Sequence, residues 1–137
     1  GTVSYLSRLW IRAVGDRAIV WIQNPVALDQ CSEPEPDVAL LRPRADFYKT
    51  RHPHASDVLL IIEVADSSLR YDREVKLPLY ARHGIAEVWI VDLALNVMDV
   101  HRQPQADRYR ESLRLSPPIR LAPLALPDLD LDLRDLF

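Results

Sequence analysis

Apolar residues recur every three to four positions through Val3, Leu6, Leu9 or Trp10, and Ala13. This is the spacing of one helix face, so residues 2 to 14 are expected to form an amphipathic helix that stops at Gly15-Asp16. The period then changes. AIVWIQ, residues 18 to 23, is a β-branched and aromatic run of strand length, broken by Asn24-Pro25 before a short VAL extension, and DVALLR, 37 to 42, is the next strand candidate. Residues 43 to 56 carry prolines, histidines and charges without a period and read as a surface loop. DVLLIIEVAD, 57 to 66, is the most apolar segment of the chain, and a continuous run of that kind belongs to a strand covered on both faces.

Beyond it, SSLRYDREVKLPLYARHG predicts a helix over about 69 to 83, with Ser67 or Ser68 as N-cap and Gly84 as the stop. Pro78 falls inside that helix and should kink it, at about 3 kcal/mol if unrelieved. AEVWIVDL, 86 to 93, is a second buried strand. A turn at 94 to 96 leads into VMDVHRQ, and DRYRESLRL, 107 to 115, supplies a hairpin strand. The DLDLDL tail puts its Asp on one face and its Leu on the other, the pattern of a solvated edge strand rather than a metal cluster. The order of elements predicts an α/β fold, a central mixed β-sheet flanked by helices.

Composition narrows this further. A chain of 137 residues, 48% of them hydrophobic, fits one domain with a single core, so residues 1–137 are read as one unit. No apolar run is long enough to span a membrane, and no leader pattern is present. The chain opens on Gly with helical periodicity starting almost at once, so its natural N-terminal segment is expected to lie further upstream. A lone cysteine, Cys31, can form neither an internal disulfide nor a thiolate cluster, and nearby acids disfavour a reactive thiolate. This is consistent with a reducing, cytoplasmic setting. The net charge of −3 and pI near 5.8 remove any bulk attraction to phosphate. Of the 17 cationic residues only Lys49 and Lys76 are lysines, which raises the question of where a compact ammonium is needed.

The apolar strand contains one inconsistency, Glu63. A carboxylate within VLLIIEVA costs several kcal/mol unless it is paired, hydrogen-bonded or bound to a cation. Asp37, preceded by Glu-Pro-Glu-Pro at the head of its own strand, raises the same problem. Two acids brought together on neighbouring strands repel unless a cation lies between them, and Mg²⁺ (or Mn²⁺) suits such oxygen ligands. The prolines remove backbone donors and place Asp37 at a sheet edge or strand mouth. Position 65 shares Glu63's face but is Ala65, so a third catalytic group must come from elsewhere.

Proline-aspartate followed by Glu63 in an apolar strand resembles the PD-(D/E)XK nuclease superfamily. The longer strings SEPEPDVAL and LLIIEVADSSLRYDREVKLPLYARHGIAEVWIVD are similar to its Uma-two restriction-endonuclease-like family. The resemblance covers about residues 18 to 103, and its most specific part is EV-x-(D/S)-S-x4-D-x3-K-x3-Y. It implies a restriction-endonuclease-like fold and Mg²⁺-dependent hydrolysis of DNA phosphodiester bonds. Asp37 and Glu63 would be metal ligands, joined by the Val64 backbone carbonyl, and Lys76 would replace the lysine missing at Ala65. A homodimer is compatible with it.

Each residue also has a plainer reading. Asp72 and Lys76 are i and i+4, the spacing of a surface ion pair, and Glu63 could be a buried acid satisfied by an arginine. Glu35 shares Asp37's face and could assist a metal, although surface placement fits it equally. Tyr80, one turn beyond Lys76, could be a packed tyrosine with a satisfied hydroxyl or could touch the site. Trp89 reads as core, Glu87 and Asp92 as strand-end partners, and His52 and His54 as exposed loop histidines. The alternative function is a non-catalytic nucleic-acid-binding or dimerisation module on the same fold.

Overall fold

The computed structural model describes residues 1–66 and 69–137. The first helix, α1 (Thr2–Val14), buries Leu6, Trp10 and Val14, spaced four apart. Its stripe therefore runs through Trp10 rather than Leu9 and ends at Val14 rather than Ala13, and Gly15 closes it at φ 53°. The strands β1 (Ile19–Ile22), β2 (Val38–Leu41), β3 (Val58–Ala65), β4 (Glu87–Asp92), β5 (Val97–Gln105) and β6 (Arg108–Leu115) form one sheet in that order. Only the β3–β4 pairing is parallel; the other four are antiparallel. The sheet is thus mixed, as the sequence predicts.

The parallel pairing needs a crossover, and the helical segment between β3 and β4 provides it. It runs as α2 (Leu69–Tyr71), a π-helical turn (Asp72–Lys76) and α3 (Leu77–Arg82), ending before Gly84 at φ 73°. The expected Ser67 or Ser68 cap lies outside the described residues. A π turn takes the place of the expected proline kink. The Leu77 amide reaches back five residues to the Asp72 carbonyl, and Pro78 follows within the first turn of α3. The wider turn gives the proline ring room beside the preceding carbonyls, so the helical run continues past it.

Two apolar layers cover the sheet. On one face, Leu6 and Trp10 of α1 pack on Val38, Leu40, Ile62 and Trp89, with the Trp10 and Trp89 rings 5.6 Å apart. The C-terminal segment closes this layer. Its DLDLDL pattern sends Leu131 and Leu133 inward and Asp130 and Asp132 outward to Arg120, but only Leu131–Asp132 (β8) is strand, paired with Arg120–Leu121 (β7). On the other face, Tyr80 and Ala81 of α3 meet Ile61, Ala65, Val88 and Ile90, together with Val26 and Tyr48 from the segments on either side of β2. The functional candidates lie on this second face. No described helix is long and apolar enough to cross a membrane.

Candidate active site

Strand register sets the site. Val38 of β2 lies opposite Ile62, so one further step places Asp37, in the bend before β2, opposite Glu63. Glu63 pairs with Ile90, Ile90 with Asp99, and Asp99 with Arg114. Directly paired residues share a face, so Asp37, Glu63, Ile90, Asp99 and Arg114 form one row across the sheet. β2 is an interior strand, so of the two places that the prolines allow, Asp37 occupies the strand mouth and not a sheet edge. The Pro34 and Pro36 carbonyls accept from Val26 and Gln23, which holds this lead-in without the missing donors.

Glu63 is 1% exposed. Its Oε1 accepts the Asp37 amide at 2.9 Å, and its Oε2 accepts Lys76 Nζ at 2.5 Å and the Tyr80 hydroxyl at 3.3 Å. In return, Asp37 Oδ2 accepts the Val64 amide at 2.8 Å, so each carboxylate is bound to the other's strand. Burial pushes the Glu63 carboxyl above its ordinary value; Lys76 and the Asp37 amide pull it back without cancelling the effect. Burial acts to lower Lys76, but Glu63, Asp72 and Asp37 outweigh it and raise the ammonium. The Tyr80 hydroxyl is pushed far up by burial and by Glu63, so it remains a donor.

Lys76 reaches Glu63 because of the π turn, which adds one residue and shifts the helical phase by about 100°. Two cations of that turn sit over two acids of the row. Arg73 bonds Asp99 and lies 3.9 Å from Asp92, while Lys76 bonds Glu63 and lies 3.9 Å from Asp72. The surface ion-pair reading of Asp72 and Lys76 therefore fails, because Asp72 is buried and Lys76 is far closer to Glu63. The arginine reading of Glu63 fails too: its cationic partner is Lys76.

Glu35 is exposed, and its side chain forms no hydrogen bond or ion pair among the described residues, so it is not brought to the row. Val64 touches Asp37 through its amide. Ala65 is buried on Glu63's face. Trp89 is core, and Glu87 is fully buried, accepting from Trp89 Nε1, Arg102 Nε and the Leu124 amide. Asp92 caps the turn after β4 through the Ala94 and Leu95 amides. His52 and His54 are exposed, with His52 3.3 Å from Glu33.

Sequence reasoning missed Arg73, Asp99, His101 and Arg114. Asp99 accepts two bonds from Arg114, at 2.8 and 3.1 Å, besides the one from Arg73. Burial acts to raise Asp99, but the hydrogen bond from Arg114 and the charges of Arg73 and Arg114 overcome it and hold the carboxyl below its ordinary value. His101 bonds Ser112 through Nδ1, and burial lowers its pKa. VMDVHRQ reads only as a strand, with no sign of which face is covered. Only the register that puts Asp99 in Glu63's row shows that Asp99's face is covered by the π turn.

Among the described residues, no group of three or more His, Cys, Asp or Glu converges to hold a metal. Within the row, Asp37 and Glu63 offer two neighbouring carboxylates of hard oxygen character. That donor set suits a divalent cation which takes one or two carboxylates and completes its shell with waters and phosphate oxygens.

A family model described as "Putative restriction endonuclease", Uma2, matches residues 2–134. The fold is similar to that in a crystal structure of "a putative nuclease belonging to DUF820" from Anabaena variabilis, with TM-score 0.76 and 18% identity over 99% of this chain and 78% of that one. No curated protein matches the chain.

Proposed function

Because the chain belongs to the Uma2 family of restriction-endonuclease-like proteins, we propose that it is a divalent-metal-dependent endonuclease that hydrolyses DNA phosphodiester bonds at the Asp37–Glu63–Lys76 site. The observation that carries this is the buried carboxylate of Glu63 held by Lys76 at 2.5 Å beside Asp37, on a sheet face with no apolar reason for either charge. Asp37 and Glu63 would hold Mg²⁺ or Mn²⁺, with the Val64 carbonyl as a further oxygen donor. When bound, such a cation lowers the pKa of a bound water and offsets charge on the phosphate.

The chain's own residues do the rest. Lys76, kept protonated by its acidic neighbours, presents a cation to a phosphate oxygen or orients the attacking water. Tyr80 keeps Glu63 oriented through a hydroxyl that does not titrate near neutrality. Asp72, 3.9 Å from Lys76, would keep its ammonium charged were Glu63 to serve as a metal ligand.

The test is nicking of supercoiled plasmid in Mg²⁺ or Mn²⁺, with EDTA as control. Asp37→Ala, Glu63→Ala and Lys76→Ala should each lose roughly a hundredfold or more of the wild-type rate, the scale of losing one charge-stabilising group. Equal nicking by all four proteins would identify a contaminant and refute the assignment. Absence of nicking by folded wild type would leave the non-catalytic module.

A further inference from the structure

The loop between β2 and β3 has a charge opposite to that of the whole protein. Residues 42 to 54 contain Arg42, Arg44, Lys49 and Arg51 against a single acid, Asp46, in a chain of net charge −3. Two of these cations are occupied locally, Arg44 by Asp46 at 2.6 Å and Arg51 by Asp57 at 2.9 Å. Arg42 and Lys49 are exposed, and neither forms an ion pair among the described residues; Arg42 uses only Nε, toward the Ser56 carbonyl.

This loop is held in one shape. Phe47 and Tyr48 both have positive φ, 53° and 60°, a costly conformation for aromatic residues that persists only where surroundings enforce it. Asp46 does so. Its carboxylate accepts Arg44 Nε, the Tyr48 amide and the Thr50 hydroxyl, the last being the largest influence in lowering its pKa to about 2. The Tyr48 hydroxyl donates to the Arg42 carbonyl at 2.6 Å, and its ring lies 5.8 Å from both the Arg44 and Arg51 guanidinium carbons. Phe47 is left 62% exposed, and a hollow of about 500 Å³ opens between Trp21 and the Lys49–His52 stretch. A loop backbone and aromatic rings fixed before any partner arrives spare the entropy of ordering them on binding.

The loop also lies on the correct side. Tyr48 belongs to the same apolar layer as Tyr80, which touches Glu63, whereas α1 covers the opposite face. Resting on the nuclease reading above, we infer that the 42–54 loop, with Trp21 beside it, is a docking surface for the DNA backbone, with Arg42 and Lys49 as its phosphate contacts. An acidic protein then binds a polyanion through one local cationic patch, and a strand held there continues along the face toward Glu63 and Lys76.

Fluorescence anisotropy with a labelled mixed-sequence DNA duplex in EDTA, titrated with salt, tests this surface apart from turnover. Arg42→Gln/Lys49→Gln should weaken binding by about tenfold or more at roughly 0.1 M salt and make the salt slope shallower by about one per residue. Arg8→Gln/Arg12→Gln, at exposed positions of α1 on the other face, should leave both unchanged. Unchanged affinity and slope in the loop variant, or a wild type that binds no DNA at low salt, overturns the inference. Patch-dependent binding without nicking supports this surface while refuting the nuclease reading. Nicking with patch-independent binding does the reverse.

Discussion

Glu63 and Asp99 stand in one row of the sheet with only Ile90 between them, both buried and both held by a cation from the same π turn, yet their carboxyls shift in opposite directions. Around Glu63 a single lysine supplies the positive charge, burial prevails, and the carboxyl is raised. Around Asp99 two guanidinium groups outweigh burial and the carboxyl is lowered. An arginine fork holds a carboxylate by several fixed donors, whereas an ammonium is one compact charge on a flexible stem. The Asp99 cluster is therefore built as a permanent fastening, and the Glu63 pair as a place where charge can be exchanged. The first fixes the turn that carries the second.

The comparison is tested most severely by removing the lysine. Lys76→Met leaves Glu63 buried without its cation, and breaking a buried pair in this way costs about 3–5 kcal/mol. A raised carboxyl favours folding below its ordinary value of 4.5 and loses that contribution as pH rises through the higher folded value. Without Lys76 the carboxyl rises further. Urea unfolding should therefore show a smaller loss near the carboxyl's ordinary value of 4.5 than at pH 8, and Glu63→Gln added to Lys76→Met should recover part of it. An equal loss at both pH values would mean that Glu63 does not titrate in this range.

Arg73→Gln should cost less, about 1–3 kcal/mol, because Arg114 still holds Asp99. Its pH dependence distinguishes the two acids. A lowered carboxyl stabilises above its ordinary value of 3.8 and loses that contribution as pH falls through the lower folded value. The Arg73→Gln loss should thus persist near pH 4.5, where the Lys76→Met loss has shrunk, and fade only as pH falls below 3.8. If the two losses shrink over the same pH range, the contrast between fastening and exchange is wrong.

The sequence revealed one of these acids and not the other, for physical reasons. Glu63 interrupts a continuous apolar run, which marks a buried charge before any fold is known. Asp99 sits in an alternating strand, where a polar residue every second position is the ordinary sign of a wet face. The long strands and α1 were legible because period and burial agree in them; the α1 stripe left Leu9 and Trp10 open, since both fit a helical period, and was off at its end, Val14 in place of Ala13. The π turn was not legible. Pro78 announced a disturbance, but whether the helix kinks or widens is decided by packing on the sheet. The reach of Lys76 to Glu63 followed from the family resemblance, and that of Arg73 to Asp99 had no such signal.

Two ion pairs of identical spacing on this helical segment show why spacing alone is a poor guide. Arg70 and Glu74 are i and i+4, as are Asp72 and Lys76. The first pair forms at 3.1 Å with side chains 87% and 62% exposed, where water and salt screen the attraction and ordering two long side chains offsets it. The second pair is longer, at 3.9 Å, but its acid is buried and its lysine bonds Glu63. Arg70→Ala should leave the urea midpoint unchanged within error at ordinary salt, the smallest effect of the series, and unchanged again when salt is raised. A loss approaching that of Arg73→Gln would mean that surface charge, and not the Asp99 fastening, holds the π turn over the row.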